Sequence, residues 1–518
     1  MTTGNMQFLK EKLVAALGAD AVADDAAQLS YLSNDVYRSG GLPALVVRPA
    51  TVEALQAAVR LCAAAGVAMV PRGGGASYTD GYIHTPGGHV LIDTGALDSI
   101  EVDVGNAVVT VGAGATWAAL KARLDPLGLR TPFWGPFSGI AATIGGSISQ
   151  NTVSHGTAAY GISAESVLSI EAVLATGELI RTGITSATRF YGPDLTGLFT
   201  GDCGTLGIKT RITLPLIAAR SEAEALSFAF DDFASCHAAV RLAQKEKLED
   251  SLFGLDLALS QGQIARQEGV GARLKIAAQV MRKAPGKIAG LKQLMRMALA
   301  GEGAMRAGAY MAHFILEGVD KADTWARAQR LRAIIAPHGR EIANTVPAFV
   351  RSMPFAPLGN ILGPKGERWV PIHGVFNQND VVAFHEAFQA LLAARKADMD
   401  KHGVWTGTMF SPTGPSGFLY EIAIYWPDAR TDYHRRTLGE EYLAGLPDYP
   451  ANPEARAAAD SLKRDAVALM QKHGAAHFQL GRAYPYQPRL DPQAAALLKA
   501  VKAALDPQCL MNPGALGL

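Results

Sequence analysis

Cysteine is scarce and scattered in this sequence. Cys62, Cys203, Cys236 and Cys509 are the only four in 518 residues. None forms a CxxC pair or falls at metal-finger spacing, which argues against a disulfide framework and for free thiols. An excess of either charge is missing too. Lys and Arg number 48 against 47 Asp and Glu, a net charge of +1, which gives no support to nucleic-acid binding. No apolar run reaches the ~20 residues that cross a bilayer. The opening residues 1–18 read as an amphipathic helix without an apolar leader core, so the expected location is cytoplasmic. Internal repeats and low-complexity tracts are absent, and the twelve histidines show no ligand spacing, so no metal site is expected. Two common nucleotide signatures are also lacking: a GxGxxG opening a helix, and a GxxxxGK[ST] loop.

What the chain does have is residues 71–82, PRGGGASYTDGY, after an apolar helical run (54–65) and a short strand (66–70). Consecutive glycines let a backbone turn through positive φ and approach a ligand closely. Successive N–H groups in such a turn make an anion-binding nest, beside which Ser77 and Tyr78 offer hydroxyls. A diphosphate is the guest this stretch suits; a glycine-rich turn that binds nothing is the plain alternative.

A second stretch carries the argument further. Residues 136–161 read PFSGIAATIGGSISQNTVSHGTAAYG, a hairpin VLSIEAVLATGELIRT follows at 167–182, and LFTGDCGTLGIKTRITLP occupies 198–215. PRGGGxS, TIGGxI, YG, VLAxGEL and GTLGIxT, in this order, resemble the FAD domain of the vanillyl-alcohol oxidase/p-cresol methylhydroxylase superfamily. The DPQCLMNPG at 506–514 resembles that superfamily's closing segment. The likeness covers most of residues 40–218 and the last ten or so. It places the chain between the phenol-oxidase branch and the glycolate oxidase/D-lactate dehydrogenase branch.

The resemblance implies an α+β fold: an FAD domain of two subdomains with an inserted ferredoxin-like cap. The expected division is 1–220 for the FAD domain, 221–472 for the cap and 473–518 for a return to the FAD domain. Hydrophobic periodicity agrees with such alternation. It predicts a helical 6–38, a strand at 43–49, a helix at 52–65 capped by Thr51, and a hairpin at 100–111 turning on Gly105 and Asn106. Beyond 216 come a strand (221–230), a helix (233–247), a strand (253–258), and then strand, helix and strand at 368–376, 381–402 and 419–426. Residues 262–306 hold nine basic residues against two acidic ones, a stretch suited to a solvated face, an acidic partner or an anionic surface.

The resemblance also assigns site residues. FAD would lie along Arg72, Gly73, Gly74, Gly75, Ala76, Ser77 and Tyr78, along Ser138, Gly139, Thr143, Gly145, Gly146 and Ser149, and against Gly207, Ile208 and Asn512. Ala76 stands where some relatives attach flavin to a histidine, which rules out that link. On the strand FLYEIAIYW, period-2 alternation puts Tyr420, Ile422, Ile424 and Trp426 on one face and Glu421, Ala423 and Tyr425 on the other. By rough alignment Tyr420 takes the place of a residue that is covalently attached or catalytic in relatives, so FAD is expected non-covalently bound, with a link through Tyr420 as the alternative. His477, Glu421, Arg368 and His373 complete an acid–base set, with His155 nearby. Relatives' metal cluster and Tyr-Arg phenolate pair are not matched. The implied activity is FAD-dependent removal of hydride from an aromatic alcohol, a phenolic side chain or a 2-hydroxy acid. Oxygen, a cytochrome or a quinone would be the acceptor, and a homodimer is an open assembly. The alternatives are a non-redox transferase like alkylglycerone phosphate synthase and an FAD-binding subunit of a larger dehydrogenase.

Overall fold

Short apolar runs between turn residues form two small sheets and a separate two-stranded ribbon before residue 220. In the computed structural model, which describes residues 3–183, 188–266, 308–355 and 357–518, the first sheet contains β1 (Val22–Ala23), β2 (Leu45–Val47), β3 (Met69–Arg72) and β4 (Val90–Asp93), in the order β1-β2-β4-β3. Strands β2 and β3 both run parallel to β4, which demands a crossover. The helix Val52–Ala64 supplies it, with Thr51 Oγ1 accepting from the Ala54 N–H and Leu55, Ala58, Val59 and Cys62 buried on one face. Residues 6–38 are not one helix. The helix Thr3–Leu17 ends before Gly18, and β1 pairs antiparallel with β2 before a second helix, Ala26–Leu32.

The chain continues through β5 (Ile100–Asp103), β6 (Val108–Gly112), β7 (Leu129–Arg130), β8 (Ser169–Val173), β9 (Leu179–Thr182), β10 (Ile208–Pro215) and β11 (Ile217–Ala218). Five of these form a sheet of order β5-β6-β10-β8-β9, while β7 and β11 pair with each other. The β5–β6 turn is wider than two residues: Ala107 takes φ +52° and the Asp103 carboxylate accepts from the Asn106 N–H.

The third sheet is larger. It contains β12 (Glu222–Phe230), β13 (Ser251–Asp256), β14 (Tyr310–Gly318), β15 (Arg340–Ile342), β16 (Arg368–Asn377), β17 (Trp405–Thr413) and β18 (Gly417–Trp426), in the order β15-β12-β14-β13-β17-β18-β16. Its core is the apolar layer that meets the helices Phe233–Glu246, Lys321–Ile335, Val381–His402 and Pro453–Lys472. β14 and β17 come from stretches that sequence patterning left unassigned. The basic stretch falls largely outside the described residues: the helix Leu257–Arg266 is its described beginning.

After residue 472 the chain stays on the third sheet's core through Ala475 and Tyr484 before turning back to the other two sheets. Ala476 pairs with Val375, the Gln479 N–H bonds to Gln150 O, and Leu498, Val501 and Leu505 pack on the core of the second sheet. Met511 then pairs with Met69 at the edge of the first sheet. Among the described residues no helix is long and apolar enough to cross a membrane.

Candidate functional site

A cavity of about 410 Å³ opens between these three layers. Its floor begins where β3 ends. Residues 72–78 line it, and among the described residues the N–H groups of Gly74, Gly75, Ala76, Ser77 and Tyr78 have no acceptor within the protein. Five consecutive donors on a cavity wall make the nest expected for an anion. Only Gly75 of the three glycines has a positive φ, +71°. The need for the other two is packing: a Cβ on Gly73 would lie 2.2 Å from Thr143 Oγ1, and one on Gly74 1.7 Å from the Ala141 carbonyl oxygen. The glycines therefore let the first segment press against the second.

Arg72 is buried on the same wall, with no ion-pair partner among the described residues and an Nε lacking any acceptor. Its guanidinium packs over Gly75 and over the ring of Tyr82. Tyr82 and Tyr433 both donate to Gly75 O at 2.9 Å, which fixes the loop from two sides. A buried cation without an ion pair, beside unsatisfied amides, fits a diphosphate.

The second segment adds a short helix, Ile144–Gln150, with Thr143 Oγ1 accepting from the Gly146 N–H at 3.2 Å. Gly145 sits where a Cβ would be 2.6 Å from Ala113 Cβ. Thr143, Gly145, Gly146, Ser149 and Ser138 line the cavity, as do Gly207 and Ile208 from the start of β10. The Ser149 hydroxyl already donates to Gly145 O. Two expected positions are off the wall. Gly139 packs under Phe355. Asn512 is a buried clamp, donating to Gly81 O and Cys203 O and accepting from Arg482.

The opposite wall is the outer face of the third sheet. Leu419, Glu421, Ala423 and Tyr425 line the cavity, while Phe418, Tyr420, Ile422, Ile424 and Trp426 belong to the helical core. Tyr420 is thus not at the ring position expected for it. It is fully buried, and its hydroxyl meets His385 Nδ1 at 2.8 Å, while His385 Nε2 meets Tyr310. The alternation is as read, but the larger apolar set of the strand faces the helices. Glu421 has no hydrogen bond or ion pair among the described residues, and burial pushes its carboxyl up to about 7. Tyr78 lines the cavity as well, its phenol pushed well up by burial first and by Glu421 second.

The remaining acid–base candidates stand back from the cavity. Arg368 donates to Tyr37 O and Ala429 O and lies over Trp426, so it joins the third sheet to the N-terminal region. His373, opposite Glu421 in the register of β16 and β18, is fully buried and stacked at 3.9 Å on Phe478, the side chain that lines the cavity. His477 Nδ1 donates to His373 O at 2.8 Å and its ring stacks on Tyr484. Burial holds His373 down to about 3 and His477 to about 4, so both are neutral near pH 7.

Residues 43–183 match the model of an FAD binding domain. Over that stretch the chain carries an FAD-binding domain. The chain is similar to the glycolate oxidase subunit GlcD of Bacillus subtilis (strain 168), at 32% identity over 210 residues, which cover 40% of this chain and 44% of that protein. The matched stretch thus spans less than half of that relative. In fold the chain is similar to p-cresol methylhydroxylase with substrate bound, with a TM-score of 0.73 and 19% identity over 100% of this chain and 98% of the other. An alkyldihydroxyacetonephosphate synthase gives a TM-score of 0.69 and 16% identity over 98% of this chain and 84% of the other.

Several residues of the FAD domain's surroundings escaped sequence reading. Lys209 and Asp202 form a buried ion pair at 2.5 Å beside the cavity. Gln150 and Gln479 line it, the latter at φ +50°. The local signals are faint: an Asp-Cys-Gly turn seven residues before a lysine, and one glutamine in an irregular segment. His155, which lines the cavity, donates through Nε2 to Pro354 O at 2.9 Å and stacks on Trp134 at 4.4 Å. It is a hydrogen-bonded wall residue, held down to about 4 by burial.

Proposed function

We propose that this protein is an FAD-dependent oxidoreductase that removes hydride from an alcohol-type or similarly activated carbon. The observation that carries the reading is continuity: a single cavity joins the unsatisfied amides of residues 74–78 to an unpaired carboxylate on the outer face of β18. FAD, when bound, supplies the acceptor for the two electrons and hydrogen lost from the substrate carbon.

The chain's own residues do the rest. The amides of residues 74–78 and Arg72 hold the diphosphate, and Thr143, Gly145 and Gly146 keep the second segment against it. The third sheet closes the cavity and excludes water. Glu421 accepts the substrate hydroxyl proton at its carboxylate. Burial has moved it close to the pKa at which a base is both ionised and effective near neutrality, and no neighbouring cation neutralises it. Tyr78, close enough for its phenol to feel that carboxylate, orients the hydroxyl. Neither expected covalent anchor is in place, since Ala76 offers no nucleophile and Tyr420 is turned into the helical core.

The test is a visible spectrum of the purified protein with and without candidate substrates under anaerobic conditions. Stoichiometric flavin that bleaches on addition of an alcohol is the expected outcome. Bound flavin that no alcohol, phenol or hydroxy acid reduces would overturn the redox reading and leave a transferase or a partner subunit.

A further inference from the structure

We infer that the cavity selects an uncharged, largely apolar hydroxyl compound and turns away carboxylates, with Glu421 as the residue that sets this preference. The inference rests on the oxidoreductase reading and narrows it. Three charged side chains line the cavity among the described residues: Arg72, Lys209 and Glu421. The two cations belong to the flavin side. Arg72 lies over Gly75, and Lys209 is bound to Asp202 with both groups buried. The sheet side offers Leu255, Met353, Trp369, Met409 and Leu419 around a single carboxylate.

A 2-hydroxy acid entering this space would lose the hydration of its own carboxylate, which demands a cation or several donors in return. The nearby arginines are already engaged: Arg130 with Asp250 and Glu317, and Arg351 with Glu317. What the substrate would meet is a second anion within a mostly apolar wall, where like charges repel more than in solution. A neutral alcohol avoids that conflict and brings the proton that Glu421 lacks when ionised.

The groups facing Glu421 leave it as the one that changes charge near neutrality. His373 lies opposite on β16 and Met409 opposite on β17, while Tyr78 and Tyr484 approach from the glycine loop and the C-terminal segment. His373 is held down to about 3, and burial raises both phenols. Glu421 itself, raised to about 7, is neutral at pH 6 and ionised at pH 8.

The test uses matched pairs with the flavin-loaded protein: 1-phenylethanol with mandelate, 1-phenylpropan-2-ol with 3-phenyllactate, and octan-2-ol with 2-hydroxyoctanoate. Binding is read by calorimetry, and anaerobic bleaching is read separately. At pH 8 the neutral member of at least one pair is expected to bind at least about tenfold more tightly than its carboxylate. The gap should narrow at pH 6 and nearly vanish in Glu421→Gln, whose circular dichroism and flavin content report that it is folded and loaded. Tighter binding of the carboxylates, or a gap that survives in Glu421→Gln, overturns the inference. Should the carboxylates bind as tightly as the alcohols or more so and bleach the flavin, the oxidoreductase reading stands while this one falls. Bound flavin with no pair member binding or reacting sinks both.

Discussion

The two walls of the cavity are built by opposite means. The glycine-loop side is made by backbone: unsatisfied amides, and glycines whose missing Cβ atoms let two loops touch. The sheet side is made by side chains, and its identity depends on which face of one strand looks outward. Backbone sites tolerate little change, because no rotamer can relieve a clash with a carbonyl. Side-chain sites tolerate volume-conserving change, and they respond through charge.

The strongest way to sharpen this contrast is Gly74→Val. Its Cβ would lie 1.7 Å from Ala141 O, so the two flavin segments must part, and flavin content per protein is expected to fall to near zero. Gly74→Val purified with full yellow colour would show that the loop moves freely.

On the other wall, Glu421→Gln should keep flavin but lower turnover of a neutral alcohol by about a hundredfold, the low end for loss of a general base. Wild-type turnover should rise with pH through about 7 and then level off, because the base must be ionised. The variant's profile should lack that rise. The same change should stabilise the fold at pH 8. A carboxyl whose pKa is raised from 4.5 to about 7 on folding binds its proton more tightly when folded, so stability declines as pH climbs from about 4.5 to about 7 and stays low above. Removing the charge returns on the order of 3 kcal/mol, measurable as a higher denaturant midpoint at pH 8 and little change at pH 4. A stability curve that loses nothing between pH 5 and 8 would argue against the raised carboxyl.

Tyr420→Phe should behave differently again. It removes the hydrogen bond to His385 in the helical core at a cost of about 1 kcal/mol, while turnover stays within about twofold. A tenfold fall would return Tyr420 to the site. Least affected should be Gly445→Ala, away from the cavity, whose new Cβ would meet nothing nearer than the Tyr442 carbonyl oxygen at 3.5 Å. Flavin content near wild type is expected, against the collapse at Gly74.

Much of the flavin wall was legible in the sequence because its motifs are local. Residues 72–78, Thr143 and Gly145 reach the cavity through contiguous stretches, with glycines where backbone contact needs them. The sheet wall was half legible. Period-2 alternation separated Tyr420 from Glu421 but did not say which face turns inward, since that depends on the helices Val381–His402 and Pro453–Lys472 packing from far along the chain. A cue was present: the face of Tyr420, Ile422, Ile424 and Trp426 is the bulkier and needs a core, whereas Glu421 and Ala423 leave room. β17 was missed because Gly407, Ser411 and Pro412 weaken its strand signal, and its place is set by pairing with β18 and β13. His373 and His477 carry the residue type for catalysis, yet aromatic neighbours stand between them and the space.

The clamp at residues 502–512 governs the order in which the protein can be assembled. Lys502 Nζ reaches Thr205 O and Met511 O, Met511 pairs with Met69, and Asn512 ties Gly81 to Cys203. The glycine loop emerges early in synthesis, but the residues that lock it follow the entire third sheet. Such distant closure is slow relative to local hairpins. The site is therefore expected to act as a checkpoint, with tight retention of flavin waiting for the segment that follows the third sheet. Refolding followed by flavin fluorescence should show capture trailing the formation of secondary structure, and equal rates would dissolve the checkpoint.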